Sequence, residues 1–224
     1  MLFWYFGIII DYAALHPARA MLRVALDETI YYIRENMPLA IAFPSSYQIL
    51  KFALQRVELE GHYLEFGVWY GGSIKFIARQ IRGKDIHGFD SFKGLPEDWS
   101  GHYYTKDSFN MDGKPPRVPG NVHLHPGWFS QALPRWLETH PGPVAFIHID
   151  CDLYTSTKDV FEQLVSRIQP GTVIVFDEYF NYPNWRHHEF KAFQEFVKEY
   201  NVTYDYMAYA RQQVAVIIKF VDLK

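Results

Sequence analysis

One stretch limits the possible folds more than any other: Tyr63-Leu64-Glu65-Phe66-Gly67-Val68-Trp69-Tyr70-Gly71-Gly72-Ser73. An apolar run carrying an acidic residue breaks into glycines, then resumes as a helical pattern at Ile74, Phe76, Ile77 and Ile81. That is a strand, a tight turn and a helix N-terminus, the opening of a βα unit. Such a turn leaves N–H groups pointing outward, and glycines let a ligand approach the backbone closely. A tight strand-to-helix connection also needs glycines for its own geometry, so the turn alone leaves both readings open.

The unit repeats. Strand patterns at 63–68, 86–90, 122–125, 144–150 and 173–177 alternate with helix patterns at 72–82, 128–139, 156–168 and 187–200. Two closing strands, 203–209 and 213–220, are separated by a turn around Arg211-Gln212-Gln213. The alternation predicts an α/β fold with a mostly parallel sheet, helices on both faces and an antiparallel edge from the closing pair. Ahead of it, Pro17 starts a helix to about Asn36 with Met21, Val24, Ala25, Ile30, Tyr31 and Ile33 on its apolar side. After Pro38 and Pro44, Ser45 or Ser46 caps a second helix with Tyr47, Leu50, Ala53, Leu54 and Val57 inward. Residues 1–60 read as a helical arm, a lid or dimerisation element, and 61–224 as the main domain. The apolar start Met1–Ile10 falls short of the roughly 20 residues that span a bilayer. It also lacks the basic flank of a signal peptide. It is expected to pack on its own domain or on a partner subunit rather than on a membrane surface. Ser91–Gly120, rich in Gly, Pro, Asp and aromatics, has no clear periodicity and reads as a functional lid.

The formal charge of −3 gives no basic excess, so nucleic acid is not the expected partner. One cysteine, Cys151, excludes a disulfide framework and a four-cysteine zinc site, and suits a reducing, cytoplasmic compartment. The spacing Gly67…Gly71-Gly72 is not the G-x-G-x-x-G of dinucleotide sites. About twenty residues on, the second strand ends in Asp90, placed to accept hydrogen bonds from ribose hydroxyls. A glycine turn with an acidic tip and no phosphate signature fits S-adenosylmethionine better than NAD.

Ligands of open α/β sheets bind at the carboxyl ends of the strands. One strand ends Ile147-His148-Ile149-Asp150-Cys151-Asp152 and the next Phe176-Asp177-Glu178. Neighbouring strands lie about 4.8 Å apart, so these carboxylates crowd one rim. Two like charges about 4 Å apart repel by about 4 kcal/mol at an effective dielectric of 20. Either a cation binds among them or one stays protonated. Hard oxygen donors suit Mg²⁺, Mn²⁺ or Ca²⁺. The alternative is that Asp152 caps the following helix while Asp177 and Glu178 are solvated. His148 reads as a core histidine, Cys151 as inert packing, and His187 and His188 as substrate-facing or simply exposed.

With these residues in hand, the chain resembles the class I S-adenosylmethionine methyltransferases, and within them the macrocin O-methyltransferase-like (TylF/MycF-type) family. The carrying stretches are Leu64–Ser73, Gly88–Trp99 (G-F-D-S-F-K-G-L-P-E-D-W), Gly127–Phe129, Ile149–Thr157 (I-D-C-D-L-Y-T-S-T) and Phe176–Tyr179, together roughly residues 60 to 180. The resemblance implies a seven-stranded Rossmann-like fold and metal-dependent methylation of a hydroxyl on a sugar-containing or phenolic small molecule, as in natural product biosynthesis. It puts Glu65, Gly67, Gly71 and Ser73 at the cofactor loop, Asp90 at the ribose, and Ser91 and Trp128 beside the adenosine. It makes Asp150, Asp177 and Glu178 metal ligands, with Asp150 also touching cofactor and reacting groups, and Asp152 the general base. A glutamate stands at 178 where the family usually has aspartate. A homodimer is expected. Trp99, Tyr154, Tyr179 and Trp185 are read as rim aromatics that could stack on the acceptor. The rival readings are a nicotinamide-dependent oxidoreductase and a non-catalytic binding protein on the same fold.

Overall fold

The computed structural model describes residues 16–222 and, before them, only the backbone of β1 (Trp4–Tyr5) and β2 (Ile8–Ile9), which pair antiparallel. The packing expected of Met1–Ile10 lies outside the described residues. The chain continues through α1 (Pro17–Asn36), β3 (Ile41–Ala42), α2 (Ser46–Leu54), β4 (His62–Phe66), α3 (Gly72–Gln80), β5 (Ile86–Asp90) and β6 (Val122–Pro126). Then follow α4 (Phe129–Thr139), β7 (Val144–Ile149), α5 (Tyr154–Leu164), β8 (Val173–Phe176), α6 (Glu189–Glu199), β9 (Thr203–Tyr209) and β10 (Val214–Phe220).

One eight-stranded sheet runs in the order β3-β9-β10-β8-β7-β4-β5-β6. From β8 to β6 every neighbouring pair is parallel. The sequence predicts seven strands. The eighth is the two-residue β3 in the linker, which pairs parallel with β9. The closing pair forms the expected antiparallel edge region, with β10 between β8 and β9 and antiparallel to both. A short turn after β9 forces β10 to reverse beside it, and the edge pairing left over is taken by β3.

Strand parity sends alternate side chains to opposite faces. Leu64, Phe66, Ile147, Ile149, Ile174 and Phe176 meet α4, α5 and α6 through Leu133, Phe161 and Phe193. Tyr63, Ile86, Phe146, Val173 and Val175 meet α2 and α3 through Ile49, Leu50, Ile74 and Ile77. Most of these side chains have no exposed surface, and each contributes about 1.5–3 kcal/mol relative to exposure. Strands covered on both faces need the continuous apolar runs that β7 and β8 carry.

Helix α1 keeps little of its apolar side inward. Only Ala25 and Thr29 are buried, while Met21, Val24, Ile30 and Tyr31 are exposed. It is tied to the sheet on another side, where the Tyr32 and Tyr206 hydroxyls lie 2.5 Å apart and Tyr206 meets Tyr179 at 2.7 Å. Its apolar spacing was legible in the sequence, but its outward direction was not.

Candidate active site

The chain leaves β4 toward β5 and β6, and later returns on the other side through β7 and β8. Between β4 and β7 the strand order reverses, which is where open α/β sheets leave a crevice. A cavity of about 730 Å³ lies there, reached by the turn after β4, the tip of β5, the 91–120 segment and the ends of β7 and β8.

Gly67 has φ +89, and a Cβ there would stand 1.7 Å from the Asp150 carbonyl oxygen. Glycine is therefore needed for the close approach of two loops, beyond any ligand contact. Asp90 organises the turn. Its Oδ2 accepts from Val68 N at 2.8 Å and Trp69 N at 2.7 Å, and its Oδ1 accepts from Phe92 N at 2.7 Å. A carboxylate offers about four acceptor positions, so about one remains, and Asp90 lines the cavity. Ser91 accepts from Lys93 N at 3.0 Å. Gly67, Ser73, Asp90, Ser91 and Trp128 all line the cavity. Gly71, in the left-handed conformation, ends the turn as the N-cap of α3 and stands behind that lining.

Glu65 departs from its expected place. It has no exposed surface and lies behind the wall, accepting from Ser73 Oγ at 3.0 Å and meeting His148 Nδ1 at 3.1 Å. Residue 65 pairs with 148 across β4 and β7, so parity turns the carboxylate into the sheet's α3 face. Burial pushes its pKa up, although His148 and Ser73 pull the other way. His148 is also fully buried, and its Nε2 stands 3.8 Å from Asp177 Oδ1. Burial alone would discharge the imidazole, but the facing Asp177 and Glu65 outweigh it and raise its pKa well above the usual value.

Asp150, Asp177 and Glu178 converge, each offering one oxygen within 4.8 Å of the others. Burial and then the charge of Asp177 raise Asp150 and Glu178 well above the carboxylate range. Asp177 itself stays below it, because His148 more than offsets its burial. Glu178 Oε2 is buried without a hydrogen-bond partner. An all-oxygen donor set with an orphaned carboxylate oxygen fits a hard divalent cation. Asp152 lines the same cavity at φ +66, and burial, then the charges of Asp177 and Asp90, push it up to about 7. It does not cap α5, whose N-cap is Leu153 without a side-chain bond. Cys151 is buried, its Sγ 3.4 Å from Thr157 Oγ1.

The aromatic lining differs from expectation. Trp99 reaches the cavity, but Tyr179 and Trp185 are core residues, and Tyr154 donates instead to Glu195 at 2.6 Å. In their place stand Tyr47 of α2 and His102, Tyr103, Tyr104 and Phe109 of the long segment. His187 is exposed, and His188 is buried with Nε2 2.8 Å from the Ser100 carbonyl. Sequence reasoning missed Glu189 altogether. It is fully buried at the start of α6 and accepts from backbone N–H groups of both acidic loops. Its sole signal was an acidic residue in a helix's first turn, common on solvated helices.

This arrangement has a family. Residues 64–179 match the family described as a methyltransferase domain, and the chain belongs to the class I S-adenosylmethionine methyltransferases. It is 30% identical to 8-demethyl-8-(2,3-dimethoxy-alpha-L-rhamnosyl)-tetracenomycin-C 4'-O-methyltransferase of Streptomyces olivaceus, over 53% of this chain and 53% of that protein. It is 28% identical to mycinamicin III 3''-O-methyltransferase of Micromonospora griseorubida, over 53% and 55%. The chain thus spans about half the length of the curated relatives it matches. In fold it is similar to the O-methyltransferase NovP (TM-score 0.61, 22% identity, 77% of this chain and 79% of that one). It is also similar to CalS11, a calicheamicin methyltransferase (TM-score 0.61, 22% identity, 90% and 93%). No helix among the described residues is long and apolar enough to cross a membrane.

Proposed function

We propose that the chain transfers a methyl group from S-adenosylmethionine to a hydroxyl of a sugar-containing or phenolic small molecule, with Mg²⁺ (or Mn²⁺ or Ca²⁺) held by Asp150, Asp177 and Glu178. The observation that carries this reading is the convergence of those three carboxylates in the same cavity as the glycine turn and Asp90. The names of the relatives, O-methyltransferases of a rhamnosyl-tetracenomycin and of mycinamicin III, support the acceptor class. A volume of about 730 Å³ suits a cofactor and a small acceptor side by side.

The remaining acceptor position on Asp90 takes a ribose hydroxyl. Gly67 and Ser73 let the methionine end approach, and Ser91 and Trp128 flank the adenosine. His148 holds Asp177 ionised. A divalent cation, when bound, offsets the gathered negative charge and lowers the pKa of a hydroxyl. Asp152 takes the hydroxyl proton as the C–O bond forms and the C–S bond of the sulfonium breaks, which needs hydrogen-bond reach and in-line orientation. His102, Tyr103 and Tyr104 exclude water and stack on the acceptor. Magnesium as the ion, a homodimer and a cytoplasmic setting belong to the proposal. The outward apolar residues of α1 support the homodimer, and the free cysteine Cys151 suits the setting.

The deciding experiment is formation of S-adenosylhomocysteine from a panel of glycosylated and phenolic acceptors, with chelator and then with Mg²⁺ restored. Turnover that ignores the chelator would falsify the role of the ion. Thermal shifts with NADH rather than S-adenosylhomocysteine would favour the oxidoreductase.

A further inference from the structure

The two loops that carry the acidic side chains leave adjacent strands. β7 and β8 stay paired up to the bond from Asp177 N to the Ile149 carbonyl, at 2.9 Å. Past that point the N–H groups of Cys151, Asp152 and Glu178 face a gap between the loops. Glu189 fills it. Its Oε1 accepts from Cys151 N at 3.4 Å and Asp152 N at 3.2 Å, and its Oε2 accepts from Glu178 N at 3.2 Å. The side chain has no exposed surface. Its position is set from behind, because α6 is anchored by buried Phe193 and Phe196, and neighbouring His188 is tied to the Ser100 carbonyl.

We infer that Glu189 is a positioning residue that sets the separation and register of the two acidic loops, and so the geometry of Asp150, Asp152, Asp177 and Glu178. The inference rests on the proposed function for its consequence, though the contacts stand without it. One carboxylate bonded to both loops couples them in a way that neither strand pairing nor a helix cap would. A bond to the N–H of Asp152 also holds the residue that carries φ +66, a conformation unfavourable for a side chain other than glycine. Glu189 touches neither reacting atom. It acts through the backbone of the residues that do.

The test exploits its two oxygens. Glu189→Gln keeps the volume but has one acceptor oxygen, so it serves either the Cys151–Asp152 loop or Glu178 and confronts the other N–H with a donor. Glu189→Asp keeps both oxygens on a shorter stem. The full chain, loaded with S-adenosylhomocysteine, is titrated with Mn²⁺, and amide hydrogen exchange is followed at 151, 152 and 178. For the glutamine variant we expect Mn²⁺ affinity lower by about tenfold or more, the range for groups that orient ligands. Exchange should be faster on at least one loop, with cofactor-product affinity unchanged and the aspartate variant in between. Wild-type Mn²⁺ affinity and exchange in the glutamine variant would overturn the inference. So would equal losses of Mn²⁺ and cofactor-product affinity, which mark general loosening. If the glutamine variant does not fold, the aspartate variant is read by the same measurements, and wild-type values overturn it. Wild-type protein that takes up no Mn²⁺ removes the proposed ion and this inference together. Mn²⁺ uptake that is equal in wild type and variants removes this inference alone.

Discussion

The two ends of the parallel sheet gather opposite chemistries. At the carboxyl end, Asp150, Asp152, Asp177 and Glu178 share one cavity. Toward the amino end, five imidazoles (His62, His87, His123, His125 and His140) crowd three neighbouring strands and the end of α4. His87 Nδ1 and His125 Nε2 are 3.0 Å apart, and His87 stacks on His123 and His125. Burial, then the neighbouring imidazoles, lowers His87 to about 3 and His125 to about 4. Both rings are therefore neutral at pH 7 and bond as a donor and an acceptor. An imidazole already spends most of its time neutral at that pH, so crowding costs it little. A carboxylate has no such ready escape, and burial with like charge leaves the rim with a standing demand for a proton or a cation. The imidazole end settles its crowding with neutral rings, and the carboxylate end keeps the demand that the proposed ion would meet.

The sharpest way to break this contrast is Asp152→Asn. Loss of a general base lowers turnover by about 10²–10⁴-fold, with S-adenosylhomocysteine affinity retained by calorimetry. A variant at wild-type rate removes the base assignment. Asp177→Asn comes next, removing both a proposed ion ligand and the carboxylate that faces His148 Nε2 at 3.8 Å. Mn²⁺ binding should weaken well beyond tenfold, whereas His125→Gln at the other end should leave it unchanged. Equal effects from the two variants would erase the distinction between site and packing. Gly67→Ala probes the join between turn and rim. With the Asp150 carbonyl 1.7 Å from the added Cβ and φ at +89, denaturant unfolding should show a loss of about 2–5 kcal/mol.

The smallest effect concerns acid. His87 and His125 have folded pKa values below the unfolded value of about 6.5. Below pH 6.5 the unfolded chain binds protons that the folded chain refuses, so their contribution is full above that pH and is lost as pH falls toward 4. Between pH 7.5 and 5 the melting temperature of the wild type should lose ground to that of His87→Gln as pH falls, the raised rim carboxylates acting alike in both proteins. Parallel slopes would show that these rings do not govern the acid response.

The strands bearing the site were readable because their chemistry is local. Continuous apolar runs ending in D-x-D or D-E, and a run ending in glycines, place their last residues at one end of any parallel sheet. The residues that were misplaced have no local signature. Tyr179 and Trp185 follow β8 as Tyr103 and Tyr104 follow β5, and nothing in either segment says which pair turns inward. Glu65 is placed at the cofactor loop by the resemblance of Leu64–Ser73, yet pairing with β7 decides that it meets His148.

The amino-acid order alone settled the βα alternation, the glycine turn after residue 66, Asp90 as its acidic neighbour and the carboxylates at the ends of β7 and β8. Each follows from a backbone rule acting over a few residues. The tertiary structure alone decided that β10 runs between β8 and β9, that α1 turns its apolar residues outward, which aromatics line the cavity, and that Glu189 bridges the loop after β8 to the loop after β7. These depend on contacts between distant segments, and the free energy of such contacts is set by which surfaces meet, a quantity that no local period encodes.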